Sequence, residues 1–118
     1  MQQIYDDDYG VKELIELCTK RAADKGWHDT TITFSDAIAL MHTELSEAYE
    51  EYRKHHDYNE TYYDQGHIKP EGIPIELADL AIRLFHYCGY FKINLMEAIR
   101  LKMEYNSARP YRHGNKKS

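Results

Sequence analysis

Two pairs of acidic residues in this chain stand three positions apart: Glu44 with Glu47, and Glu76 with Asp79. On a helix, residues at i and i+3 are neighbours on one surface. If two such pairs face each other, four negative charges converge, and they repel strongly unless a cation sits among them. A set of carboxylate oxygens selects a hard cation, Mg²⁺ first with Mn²⁺ as the substitute. One Glu-x-x-Glu arises by chance on any charged helix. Two acidic pairs, both on mainly apolar helices and separated by a loop, are a much more specific signal. Other metals fit poorly. Di-iron bundles use Glu-x-x-His on two helices, and no Glu-x-x-His occurs here. His42 precedes Glu44 by two residues, which sets the side chains far apart on a helix, and no His or Cys pair stands at zinc spacing.

The elements that must carry these residues are helices. Apolar residues recur at helical spacing over about 9–25 (Val11, Leu14, Ile15, Cys18, Ala22), with Asp8 as a possible cap and Gly26 as a stop. A second helix over about 35–54 has two candidate caps, Thr33 with Asp36 three residues later in a capping-box pattern, and Ser35; Ile38, Met41, Leu45, Ala48 and Tyr52 make its main stripe. At 100° per residue its apolar residues cover an arc of about 160°. Glu44 and Glu51 fall inside that arc and Glu47 at its edge. A carboxylate aimed at a core is costly unless paired, protonated or bound to metal. Glu50 lies off the arc and reads as surface.

Residues 55–73 show no period and predict a long, mobile loop. A third helix over about 74–92 is apolar around most of its circumference, so it is buried on several sides. Its polar residues Glu76, Asp79, Arg83 and His86 fall within about 80° of one another, with Tyr90 among them, as if lining a cleft. Asn94 and Glu97 form a cap and N3 pair for a fourth helix, which ends near Asn106. The expected fold class is all-α, a four-helix bundle-like single domain over 1–118 with a basic tail over about 107–118.

The chain has 118 residues, 42% hydrophobic and 30% charged, the size and make-up of one globular domain. No apolar run approaches a membrane span, and MQQIYDDDYG has no basic segment followed by an apolar one, so no membrane association and no signal peptide are expected. The net charge of −5 argues against nucleic acid as a partner. Residues 100–118 nevertheless hold six Lys or Arg against one acid, a basic end on an acidic body. Cys18 and Cys88 lie in apolar helical patterns without a CxxC, which reads as two buried reduced thiols and a cytoplasmic location.

At HTELSEAYEEYR (42–53), KPEGIPIELADLAIRLF (69–85) and KMEYNSARPYRHG (102–114) the sequence resembles the MazG-like nucleotide pyrophosphohydrolases, of the all-α NTP pyrophosphohydrolase superfamily. The family signature ExxE, gap, ExxD corresponds to Glu44-x-x-Glu47, 28 intervening residues and Glu76-x-x-Asp79. KGWHD (25–29) resembles the segment that leads into the family's second helix, and the likeness spans roughly 11–114.

The resemblance implies hydrolysis of a nucleoside triphosphate between its α and β phosphates, giving a monophosphate and pyrophosphate. It implies Mg²⁺ held by Glu44, Glu47, Glu76 and Asp79, bridging phosphate oxygens and acidifying a water. Glu47, at the edge of its arc, is the candidate to accept that water's proton. Lys102, Asn106 and Arg109, at i, i+4 and i+7, look like the family's C-terminal phosphate-contacting set, which Arg112 and His113 could extend. Arg83 could contact substrate or hold a carboxylate. Trp27 is the candidate to stack a nucleobase, and His28 stands where a second aromatic is frequent. The broad apolar faces suggest a homo-oligomer, dimer or tetramer, with a site completed by a neighbouring subunit. The competing expectations are a catalytically silent interaction module of the same fold, and an enzyme acting on another pyrophosphate-containing substrate.

Overall fold

The structure, a computed structural model, describes residues 9–54 and 56–110. Helix α1 (Val11–Asp24) opens after Gly10, which supplies no side-chain cap; Asp8 lies outside the described residues. The helix ends in a paired-carbonyl motif. Gly26, at φ 87°, donates to Ala23 at 3.0 Å, and Trp27 donates to Ala22 at 3.0 Å. That left-handed turn suits glycine and brings the chain about at Trp27 and His28.

Helix α2 (Phe34–Arg53) is capped by the first of the two candidates: the Thr33 hydroxyl accepts from the Asp36 N–H at 3.1 Å. The face it buries meets the predicted main stripe only at Ala48. Ala37, Glu44, Ala48 and Glu51 are buried, whereas Ile38, Leu45 and Tyr52 are exposed. The broad apolar arc is two adjacent faces. The narrower one, made of small residues and glutamates, packs on the next helix; the one with the large side chains faces outward.

Residues 55–73 are not a structureless loop. Strands β1 (Tyr62–Tyr63) and β2 (Pro70–Glu71) pair antiparallel, Tyr62 opposite Glu71 and Tyr63 opposite Pro70. The turn between them is tied down by Asp64, whose Oδ1 accepts from the Ile68 and Lys69 N–H groups at 3.1 and 3.3 Å. Two residues per strand are too few for a period-two pattern to show in sequence.

Helix α3 (Ile73–Tyr90) lies between α1 and α2 and packs on both. Gly89 makes the α1 contact close, since a Cβ there would run into the Thr19 side chain. Ile73, His86, Tyr87 and Cys88 are buried on α3, and Cys18, Ala37 and Ala48 meet them from its two neighbours. Both thiols are unpaired, and burial pushes each up. Helix α4 (Leu95–Ser107) starts at the predicted cap, with Asn94 Oδ1 accepting from the Glu97 N–H at 3.2 Å. It packs lightly, chiefly against α1, and buries none of its residues. The architecture is all-α with one small hairpin. Three of its helices pack as layers and the fourth flanks them. Among the described residues, no helix is long and apolar enough to cross a membrane.

Candidate metal centre

Packing α2 on α3 brings the two acidic pairs together. Glu44, Glu47 and Glu76 each offer a carboxylate oxygen, and these oxygens lie within 4.8 Å of one another. Their settings differ. Glu44 is buried, Glu76 half-buried and Glu47 exposed. Oε2 of Glu76 is enclosed and has no hydrogen-bond partner. A buried carboxylate oxygen left without a donor carries its full desolvation cost, so this atom is where the site most lacks a positive charge or a proton. Burial, a hydrogen bond toward Glu47 and then the charges of Glu47, Asp79 and Glu44 push the Glu76 carboxyl up to about 7. Asp79, one turn further along α3, stands outside the tight group of three but within its field. Burial and the Glu44 charge push its carboxyl up, against the opposing pull of Arg83.

Arg83 holds a carboxylate. Its Nε donates to Glu44 Oε1 at 2.8 Å, its Nη1 donates to the Tyr87 hydroxyl at 3.2 Å, and its guanidinium lies 5.6 Å from the centre of the Trp27 ring. This contact offsets part of the cost of burying the Glu44 carboxyl group.

Beside the cluster opens a cleft of about 360 Å³ between α1 and α3, within the usual size of a small-molecule site. Glu44 and Asp79 form its acidic edge, and Trp27, Leu17 and Ile82 give it apolar walls. Arg21, Lys25 and Arg83 supply cationic side chains along it. Arg21 and Lys25 were not legible as site residues, because on α1 they read as the solvated side of an amphipathic helix. His86 reaches the same cleft and meets His28 at Nε2–Nε2 2.9 Å, one imidazole donating and the other accepting. Burial, His28 and Arg83 all push the His86 imidazole down, toward its neutral form. The sequence placed His86 on the polar stripe of α3; its partner came from another segment and could not be read.

The structure does not bring the predicted phosphate-contacting set to this cleft. Lys102, Asn106 and Arg109 sit on α4 and at its end, and none of them lines it. Lys102 Nζ and Arg109 Cζ instead lie 4.9 and 5.4 Å from the centre of the Tyr105 ring. Arg112 and His113 lie outside the described residues. The cluster offers carboxylate oxygens from two helices that could hold a cation, and the cleft beside it has the volume of a small-molecule site. No family model, no curated protein and no solved structure matches this chain.

Proposed function

We propose that the chain is a Mg²⁺-dependent nucleoside triphosphate pyrophosphohydrolase of the MazG-like kind. The observation that carries this reading is the meeting of the Glu44, Glu47 and Glu76 carboxylates beside a cleft, with one Glu76 oxygen enclosed and unpartnered. The donor set is all oxygen, which fits Mg²⁺, with Mn²⁺ as a substitute. Glu44, Glu47 and Glu76 would hold the ion, with Asp79 as the next carboxylate along α3, and it would supply charge neutralisation at phosphate oxygens and a more acidic water.

The chain's own groups have separable tasks. Glu44 is fixed by Arg83, so it holds its oxygen in place without a mobile side chain. Glu47 is the exposed member of the cluster, open to solvent, and is the group to accept a proton from an attacking water. Trp27 and the His28–His86 pair offer the base a stacking face and a polar edge. Arg21 and Lys25 line the cleft as countercharges for phosphate.

The reading includes a second copy of the chain. Ile38 and Leu45 on α2 and Leu101, Met103 and Tyr105 on α4 are exposed apolar side chains that a monomer leaves in water. A neighbouring α4 would bring Lys102, Asn106 and Arg109 to a cleft that lacks them within one chain. The buried thiols of Cys18 and Cys88 suit a cytoplasmic location.

The test is pyrophosphate release from each common NTP and dNTP with Mg²⁺ and with EDTA. Release of pyrophosphate and a monophosphate, abolished by EDTA, supports the reading. A chain that Mg²⁺ stabilises but that cleaves none of these nucleotides is the silent module instead, or acts on another pyrophosphate compound.

A further inference from the structure

A second buried carboxylate stands two turns beyond Glu44 on α2, with partners of its own. Glu51 is 6% exposed. The Tyr62 hydroxyl donates to it, 2.7 Å from Oε2 and 2.8 Å from Oε1. His56 Nε2 lies 3.6 Å from Glu51 Oε2, and His56 Nδ1 lies 3.0 Å from Glu60 Oε1. The imidazole stacks on the Tyr62 ring, centroids 4.5 Å apart and planes 18° apart. Glu60 Oε1 also accepts from the Asp57 N–H at 3.2 Å. Four side chains thus form one connected unit between the end of α2 and strand β1.

This unit leads directly to α3. Tyr62 pairs with Glu71, the residue before Gly72, and the Gly72 carbonyl accepts from the Glu76 N–H at 3.0 Å. Gly72 has φ 127°, and a Cβ on it would run into the Glu60 carbonyl. The start of α3 is therefore held against the segment that Glu60, His56 and Tyr62 tie to α2. A hairpin of two-residue strands has almost no stability of its own. Something else must hold it, and a buried carboxylate with a shared hydroxyl donor does. The hydrogen bond to Glu51, and after it burial, push the Tyr62 phenol up to about 12, so it stays a donor throughout the neutral range.

We infer that Glu51, Tyr62, His56 and Glu60 form a positioning clasp that fixes the first turn of α3 on α2, so that Glu76 meets Glu44 and Glu47. Glu51 and Tyr62 are positioning residues: they act on a metal through Glu76. The inference rests on the metal reading of the acidic cluster and adds the part of the fold that sets its geometry.

The test measures Mn²⁺ binding by the full chain, from the loss of the free-ion EPR signal, and amide hydrogen exchange at Glu76 and Leu77 in EDTA. Tyr62→Phe removes one oxygen atom. It is expected to weaken Mn²⁺ binding about tenfold, on the scale of losing a contact that orients a ligand, and to speed exchange at Glu76 and Leu77. Glu51→Gln keeps an acceptor for the Tyr62 hydroxyl and should retain both wild-type values. Cys88→Ala, which loses buried volume at the far end of α3, should leave Mn²⁺ affinity unchanged, separating positioning from general stability. The double variant Glu51→Leu with Tyr62→Phe leaves no buried charge without a partner, so it guards against a misfolded single variant; it should keep the loss of affinity. Unchanged affinity in both Tyr62 variants, with the wild type binding Mn²⁺, overturns the clasp and leaves the metal reading standing. A wild type that binds no Mn²⁺ overturns the metal reading and the clasp with it.

Discussion

Glu76 carries the sharpest consequence at the scale of single residues. Its carboxyl is pushed up to about 7, first by burial, so the folded state binds a proton that the unfolded chain releases above about 4.5. A group raised in this way contributes stability below its unfolded pKa and loses that contribution as pH rises through its folded one. In EDTA, the melting temperature should therefore fall between about pH 4.5 and pH 7 from this group's titration. Glu76→Gln, which has no such proton to lose, should show a shallower fall across the same range in paired melting curves. Glu47→Gln tests the cluster from its exposed side. It should abolish activity and most of the stabilisation by Mg²⁺, while leaving the EDTA form as stable as wild type or more so. At 100 times its dissociation constant the ion is worth about 2.7 kcal/mol, on the order of ten degrees of melting temperature in a domain of this size. A wild-type curve that ignores Mg²⁺, with activity retained in the variant, would remove the site.

Among the elements, the short connections at the ends of α3 matter more than the helix itself. Gly72 stands at φ 127° with the Glu60 carbonyl where a side chain would begin. Gly72→Ala should cost about 1–3 kcal/mol from the backbone conformation alone, measured by urea unfolding, and should weaken Mg²⁺ stabilisation because Glu76 sits in the turn that follows. At the other end Lys92 takes the left-handed position of a C-terminal motif, φ 58°, with Ile93 donating to the Cys88 carbonyl at 2.8 Å. A lysine there pays about 1–2 kcal/mol that glycine does not. Lys92→Gly should raise stability by up to about 1 kcal/mol once the looser unfolded chain is allowed for, with no change in Mg²⁺ response.

For the whole molecule, the uneven distribution of apolar surface is the dominant fact. Among the described residues the buried apolar set is small, namely Cys18, Ala37, Ala48, Ile73, Tyr87 and Cys88, and α4 buries nothing. Large side chains stay exposed instead, Leu45 at 50%, Leu101 at 54% and Met103 at 66%. If a second copy covers this surface, as proposed, melting temperature should rise with protein concentration and sedimentation should report a dimer or larger. Leu101→Asp with Met103→Asp should shift the sedimentation profile toward monomer. If a neighbour's α4 supplies phosphate contacts, Lys102→Ala should raise KM for nucleotide without loss of helix content.

The helices were legible in the order of residues, because each has a local cause. Apolar residues repeat at its period, Thr33 and Asn94 cap it, and Gly26 ends it. The order of residues also determined that Glu44 and Glu47 share one helix face, and that Glu76, Asp79 and Arg83 share another. Other features depended on how the helices dock. The α2 arc contained two possible faces, and which one is covered depends on what fits α3: Ala37 and Ala48 allow close approach, while Ile38 and Leu45 do not. The same docking joins Glu76 to Glu44 and Glu47, gives Arg83 to Glu44, places Tyr62 on Glu51, and leaves Lys102, Asn106 and Arg109 away from the cleft. Helical period is written in neighbouring residues. Contacts between residues such as Glu44 and Arg83, 39 positions apart, are fixed only by the shapes that pack.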